Sequence, residues 1–167
     1  MAQMTGILGP GTLATVYSRT AIQPGTRAFD ESGNEYIFLK GCASTVVGSV
    51  VVFDANNEFD TALVTTGALG PVAIAMAITV AGKCGWYCIW GACEAKYGLL
   101  GADDTLTDNI SAVGRSVADG MIGKGPTAGD IIYGIVTRSA KEYSADPTAT
   151  TLVQIYYPFL DAQTAGH

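Results

Sequence analysis

The sequence is poor in the residues on which catalysis and nucleic-acid binding depend. Only 14% of its 167 residues are charged, and the single histidine, His167, is the last residue. One terminal histidine nearly excludes a Ser-His-Asp or Cys-His arrangement. The nine Lys and Arg residues are scattered, and fifteen acids bring the net charge to −6. This balance argues against binding to nucleic-acid phosphates, so we expect no nucleic-acid partner.

The chain also lacks a long, unbroken apolar run. A membrane-spanning helix needs roughly 20 consecutive apolar residues. Residues 62–82 form a window of about that length, but Gly67, Gly70 and Pro71 interrupt its first half. The N-terminus has no basic start and is divided by glycine and proline, unlike a signal peptide. These features predict a soluble protein with no membrane partner.

The cysteines do not follow a metal-binding pattern. Cys84, Cys88 and Cys93 are four and five residues apart, Cys42 lies far upstream, and no CxxC unit occurs. Structural zinc sites usually pair such units or combine them with histidines. We therefore expect four reduced cysteines that act as small buried hydrophobic residues. A metal or disulfide pair is the alternative.

Two Gly-rich segments superficially suggest ion or phosphate binding. Asp103, Asp104 and Asp108 lie close together, but their spacing is not that of an EF-hand loop. The segment GKGPTAG, residues 123–129, lacks the ending of a phosphate loop and is followed by Asp130. We expect a solvated acidic loop and a turn into a strand, with no metal and no cofactor.

The clearest pattern is an alternation of large and small apolar residues over residues 72–81. Successive side chains of a strand point to opposite faces, so a period of two predicts a β-strand. Its Ala face would lie against a neighbouring segment or another subunit. The large side chains predicted to point into the core are Val72, Ile74, Met76, Ile78 and Val80.

The aromatic segment that follows is also predicted to be a strand, with a bulge or kink at Gly91. On such a strand Trp86, Cys88 and Trp90 share one face. Core packing accounts for one face, and the other needs a cover from another sheet or subunit. An aromatic ligand site, for a sugar for example, is an alternative that would also draw on Tyr156, Tyr157 and Phe159.

Strand patterns recur along the rest of the chain. Residues 1–34 are rich in turn-forming residues and predict an extended arm with one short strand at 13–18. Residues 35–161 predict about eight to ten short strands, with 21 glycines in the whole chain as punctuation. The expected fold is all-β, a Gly-rich barrel or sandwich with an N-terminal arm and a tail at 162–167.

Over residues 35–161 the sequence resembles the capsid decoration (head-stabilising, or cement) proteins of tailed bacteriophages. The resemblance lies in the order of GPVAIAMA, VAGKCGWYCIWGACEA, an acidic Gly-rich loop, AGDIIYGIVTRSA and the closing VQIYYPFLD. It implies a non-enzymatic virion protein, made in the host cytoplasm, that binds the outer capsid surface and bridges capsomers. The implied partners are the major capsid protein and further copies of the chain, as a trimer.

The arm is predicted to anchor the protein, because an apolar segment interrupted by Gly and Pro finds no internal partner but can be ordered by a shell. The expected capsid contacts are Met4, Ile7, Leu8, Leu13, Val16 and Tyr17. The residues expected to pack in the core or between subunits are Val72, Ile74, Met76, Ile78, Trp86 and Trp90. The alternatives are another virion component (a tail or minor head protein) and a carbohydrate-binding β module.

Overall fold

The computed structural model describes residues 7–18, 22–65, 67–98, 105–106, 113–115, 119–124, 131–139, 141–142 and 149–161. The structure is 56% strand and 3% helix, which confirms the predicted all-β class. No helix among the described residues is long and apolar enough to cross a membrane.

The described part of the chain contains one short helix and fourteen strands, four of them only two residues long. Eleven of these strands lie within residues 35–161, one more than the upper end of the predicted eight to ten. In chain order the elements are β1 (Ile7–Leu8), α1 (Pro10–Leu13), β2 (Tyr17–Ser18), β3 (Arg27–Asp30), β4 (Glu35–Lys40), β5 (Val50–Asp54), β6 (Asp60–Leu63), β7 (Gly70–Ala75), β8 (Lys83–Lys96), β9 (Thr105–Leu106), β10 (Val113–Arg115), β11 (Ile122–Lys124), β12 (Ile131–Thr137), β13 (Lys141–Glu142) and β14 (Thr150–Leu160).

Five strands close into a ring in the order β4-β6-β5-β7-β8, and β8 pairs with β4 to complete it. All these pairings are antiparallel except β4 with β6, which meet at a single parallel pair, Lys40 and Asp60. The sheet continues from β8 through β14 and β12 to β10 and β11. Strands β9 and β13 form a separate pair.

Side chains of the ring strands alternate between two apolar clusters. The smaller cluster draws on all five strands and the turn between β5 and β6, which places it inside the ring. Rings of fewer than eight strands leave little interior space. Small residues therefore stand opposite large ones: Ala75 pairs with Tyr87, and Ala73 with Val51. The fully buried members of the smaller cluster are Ile37, Leu39, Val51, Ala73, Ala75, Tyr87 and Ile89.

The larger cluster lies between the outer face of the ring and the strands β12 and β14. Val72 and Ile74 are buried in it, as the alternation predicted. Trp86 is buried there too, and its ring meets Phe38 edge-on with centroids 5.2 Å apart. Strand β7 is thus buried on both faces, and its Ala face is covered by the chain's own ring.

The prediction that Ile78 and Val80 lie in the core is wrong. Strand β7 ends at Ala75, and although the half-buried Met76 still packs against the larger cluster, Ile78 and Val80 are 57% and 42% exposed. The side chains at the alternate positions, which begin with Ala73 and Ala75, stay inside the ring instead. Thr79 is fully buried, and its hydroxyl lies 2.6 Å from that of Tyr87. Residues 76–80 therefore close one end of the ring and turn Ile78 and Val80 outward.

Two glycines make room for this closure. A Cβ atom on Gly41 would lie 2.0 Å from the carbonyl oxygen of Thr79. A Cβ atom on Gly85 would lie 2.4 Å from the Cγ2 atom of Thr79. Neither distance is compatible with a side chain, so both positions must remain glycine for Thr79 to enter the ring.

The expectation that the arm has no internal partners is wrong for its described residues. Strand β1 pairs with β3, β2 pairs with β8, and β3 pairs with β4, so the sheet extends into residues 1–34. Leu8, Leu13 and Tyr17 pack against the larger cluster. The predicted strand at 13–18 is reduced to Tyr17–Ser18, since helix α1 runs to Leu13.

The predicted irregularity at Gly91 is confirmed. Its φ is +105°, and the pairing of β8 with β4 shifts register just before it. The turn between β3 and β4 docks here, where the Ala92 N–H donates a hydrogen bond of 2.9 Å to the side-chain oxygen of Asn34. A Cβ atom on Gly91 would lie 2.0 Å from that oxygen, so glycine permits the contact.

The two isoleucines of the alternating segment should respond oppositely to truncation. Ile74→Ala should lower the free energy of unfolding by about 2–5 kcal/mol, because it opens a cavity in a close-packed core. Ile78→Ala, at an exposed position, should change it by less than about 0.5 kcal/mol. Urea unfolding in dilute solution measures both, and equal losses would show that Ile78 is core.

The ring interior should resist enlargement. Ala75→Leu should destabilise the protein by about 1–3 kcal/mol, because extra methylenes inside a filled ring force neighbouring side chains out of their rotamers. Ala62→Leu, at an exposed position of β6, is the matched control and should be near neutral. Equal stability of the two variants in chemical unfolding would mean that the ring is not filled.

Candidate binding surface

A bulge in β14 reshapes the surface next to β8. Strand β14 carries two more residues than β12 between the pairs that flank the irregularity. Tyr157, within the bulge, has a φ of +47°, a left-handed conformation that non-glycine residues rarely adopt. On β12, Gly134 has a φ of +78°, and a Cβ atom there would lie 2.8 Å from the carbonyl oxygen of Tyr156.

The bulge brings consecutive aromatic side chains to the surface together. On a regular strand Tyr156 and Tyr157 would point to opposite faces, yet they are 43% and 49% exposed. Both rings have their centroids 5.1 Å from that of Trp90, which is 38% exposed. Nearby, the half-exposed Phe159 stacks on Tyr133 with centroids 5.1 Å apart. We call Trp90, Tyr156, Tyr157 and Phe159 the aromatic patch.

An ion pair fixes the orientation of Tyr157. Its hydroxyl donates a hydrogen bond to the carboxylate of Glu35, whose side chain is buried. The other carboxylate oxygen accepts a 3.0 Å bond from Arg27, whose guanidinium lies 5.8 Å from the centre of the Tyr157 ring. The hydrogen bond to Glu35, with a smaller contribution from burial, raises the pKa of the Tyr157 hydroxyl. Tyr157 is therefore held in place before any partner arrives.

A small cleft lies beside the patch at one end of the ring. Its volume is about 120 Å³, which is the scale of one side chain rather than the 300–1,000 Å³ of typical small-molecule pockets. Phe53 and Ile89 reach it from the cluster inside the ring, so it lies at the end opposite Thr79. We call it the mouth cleft; its walls include Arg27, Phe53, Pro71, Ile89, Tyr157 and Phe159.

The residues predicted to form sites fall into different places. Trp86 is buried and unavailable to a ligand, whereas Trp90 is at the surface. Of the proposed arm contacts, Leu8, Leu13 and Tyr17 pack against the larger cluster. Ile7 belongs to β1, Val16 is exposed, and Met4 lies outside the described residues.

Cys84, Cys88 and Cys93 are buried in the larger cluster, and Cys42 is half-buried. None of the four forms a disulfide in the structure. A hydrogen bond with Cys88, together with burial, raises the pKa of the Cys93 thiol, which keeps it protonated. Within the described ranges, no group of three or more His, Cys, Asp or Glu residues could hold a metal ion. The acidic loop 101–110 is described only at residues 105–106, so its three aspartates lie outside the described residues.

Sequence reasoning missed the contact of Arg27 and Glu35 with Tyr157, because Tyr157 lies more than a hundred residues further along the chain. One signal was present: Pro158 interrupts the pattern of β14, and proline inside a strand often marks a bulge.

Comparison of the chain with protein families, curated proteins and solved structures finds no match.

The ionisation of Tyr157 should report its bond to Glu35. The pKa of Tyr157 in the folded protein lies above the ordinary tyrosine value near 10. The hydrogen bond therefore contributes its full stability below about pH 10, and this contribution is lost as the pH rises through the folded-state pKa. The ultraviolet difference titration between the protein and Tyr157→Phe isolates this group. Glu35→Gln should lower its midpoint, and an unchanged midpoint would contradict the assignment.

Proposed function

We propose that this is a non-enzymatic decoration protein that binds the outside of a phage capsid as a homo-oligomer, a trimer, and stabilises the shell by bridging capsomers. The observation that carries the proposal is the aromatic patch, which a strained bulge presents outward from a rigid sheet. Backbone strain of this kind costs about 1–3 kcal/mol and persists where the surrounding structure enforces it, often at binding sites. The sequence resemblance to decoration proteins supports the same function.

The size of the patch suits a contact that is repeated over a shell. Large aromatic side chains bury about 150–250 Å² each, so four side chains that are 38–49% exposed offer about 350 Å². Stable interfaces bury about 800 Å² per partner. One patch would thus supply the apolar centre of a modest interface. Several copies in one oligomer would multiply the binding strength.

We place the main shell contact on the aromatic patch rather than on the predicted arm residues. Leu8, Leu13 and Tyr17 already contact the protein's own core, and releasing them would cost the stability that their burial provides. Val16 and the segment 1–6, which contains Met4, remain proposed as additional contacts.

A carbohydrate-binding module is the second candidate, because Trp90 and Tyr156 are exposed rings of the kind that stack on sugars. Sugar sites also need polar groups for the hydroxyls. Here both oxygens of the Glu35 carboxylate are already engaged by Arg27 and Tyr157. The patch therefore favours an apolar protein surface over a sugar.

Loss of the central rings should abolish decoration without unfolding the protein. Trp90→Ala and Tyr156→Ala should each weaken binding to expanded, undecorated capsids about tenfold or more, as for aromatic residues at the centre of an interface. Val47→Ala, an exposed aliphatic residue in a turn, is the control and should bind normally. Cosedimentation with capsids measures the affinity.

The same variants distinguish the alternatives. Undiminished decoration by Trp90→Ala and Tyr156→Ala would remove the patch from the capsid contact. Binding to isolated tails instead of heads would indicate another virion component. Binding to polysaccharides that is lost in Trp90→Ala, with no binding to capsids, would replace the proposal with the carbohydrate module.

A further inference from the structure

The segment that closes the ring presents a fixed apolar knob. Ile78 is 57% exposed, yet its neighbours Ala77 and Thr79 are buried. The Thr79 hydroxyl lies 2.6 Å from that of Tyr87, and Gly41 and Gly85 leave the space that Thr79 occupies. The backbone at Ile78 is therefore held on both sides. Little backbone conformational entropy is therefore lost when a partner covers Ile78.

The mouth cleft is an apolar hole of matching scale. Its volume of about 120 Å³ suits one branched aliphatic side chain, and Phe53, Pro71 and Ile89 provide apolar walls. Arg27 stands beside it with five N–H donors, of which the Nη1 group bonds to Glu35. A backbone carbonyl that follows an inserted side chain would find a donor there.

The knob and the hole lie at opposite ends of the same ring. Along β8, Gly85 faces Thr79 at one end and Ile89 lines the mouth cleft at the other. Four residues of strand separate them by about 13 Å. One copy therefore cannot fill its own cleft. A two-fold dimer would need the knob and the cleft on one shared surface patch. Because they lie at opposite ends of the ring, insertion of Ile78 requires a head-to-tail contact.

The charges around the two features are complementary. Lys83 is the only charged residue between positions 70 and 93, and it is exposed near the knob. At the other end, the exposed Asp54 follows Phe53, and the exposed Asp161 follows Leu160, which pairs with Gly70. Arg27 in the cleft is neutralised by its ion pair with Glu35. In a head-to-tail arrangement Lys83 of one copy therefore approaches Asp54 and Asp161 of the next, which favours the correct orientation.

We propose that copies of this chain join head to tail, with Ile78 of one copy inserted in the mouth cleft of the next. Heterologous contacts of this kind generate closed rings when the rotation between copies closes, and filaments when it does not. The proposal adds the contact between copies to the proposed oligomer: Tyr157 and Phe159 wall the cleft, and Trp90 and Tyr156 remain for the shell. It is tested on the protein alone, so its failure is distinguishable from a failure of capsid binding.

The first test is sedimentation velocity over a range of protein concentrations. The protein should self-associate, and Ile78→Ser should weaken that association about tenfold or more. Lys83→Glu, which reverses the charge beside the knob, should weaken it too and serves as a second variant if Ile78→Ser does not fold. Leu152→Ser, an exposed aliphatic residue on β14, is the matched control and should associate like the unmodified protein.

A mixing experiment tests the head-to-tail geometry. Phe159→Asp places a charge at the rim of the mouth cleft and should likewise weaken self-association about tenfold or more, with unchanged circular dichroism. The knob of this variant is intact, and so is the cleft of Ile78→Ser. Mixing the two variants should therefore give a one-to-one heterodimer and nothing larger.

Three results would overturn the proposal. One is a protein that stays monomeric at every concentration. Another is self-association that folded Ile78→Ser and Lys83→Glu leave unchanged. The third is a mixture of Ile78→Ser and Phe159→Asp that forms no heterodimer, which would show that the contact is not knob-in-cleft.

Discussion

The narrow interior of the five-stranded ring is the constraint on which the rest of the structure depends. Tyr87 fills much of that space, so the strand beside it must present alanine inward, as β7 does with Ala73 and Ala75. Because side chains alternate along the strand, inward-pointing alanines direct Ile74 to the larger cluster outside the ring. The same alternation, continued past the strand, buries Thr79 at the end of the ring and leaves Ile78 exposed to solvent. Core packing and surface features thus follow from one steric limit.

The second determinant is strain in β14. The left-handed conformation of Tyr157 is unfavourable in isolation, whereas Gly134 accommodates the bulge because it has no Cβ atom. The buried Glu35 carboxylate, itself paired with Arg27, stabilises this conformation by accepting a hydrogen bond from the Tyr157 hydroxyl. The result is three adjoining aromatic rings on one surface, an arrangement that a regular strand does not produce. This is why we attribute binding to the patch rather than to the buried apolar residues.

The sequence was informative where periodicity is local and silent where contacts are distant. Alternation correctly predicted that Val72 and Ile74 are core, and the glycine at 91 correctly predicted an irregular strand. The alternation gave a wrong prediction at Ile78, because it continues in the sequence after the strand has ended at Ala75. The reason is visible only in the structure, where Gly41 and Gly85 leave room for Thr79 inside the ring. The sequence pattern predicts Leu8, Leu13 and Tyr17 as capsid contacts, because nothing nearby in the sequence indicates that they pack against the larger cluster. The aromatic patch depends on pairing across more than a hundred residues, which no local pattern encodes.

We propose that the protein covers a capsid with its aromatic patch turned towards the shell. Electron cryo-microscopy of expanded capsids incubated with the protein tests this most directly, because it shows both occupancy and orientation. The account predicts density on the outer surface at junctions between capsomers, with Trp90 and Tyr156 against the capsid protein. Bound copies whose patch faces solvent, or capsids that remain bare at saturating protein, would contradict it.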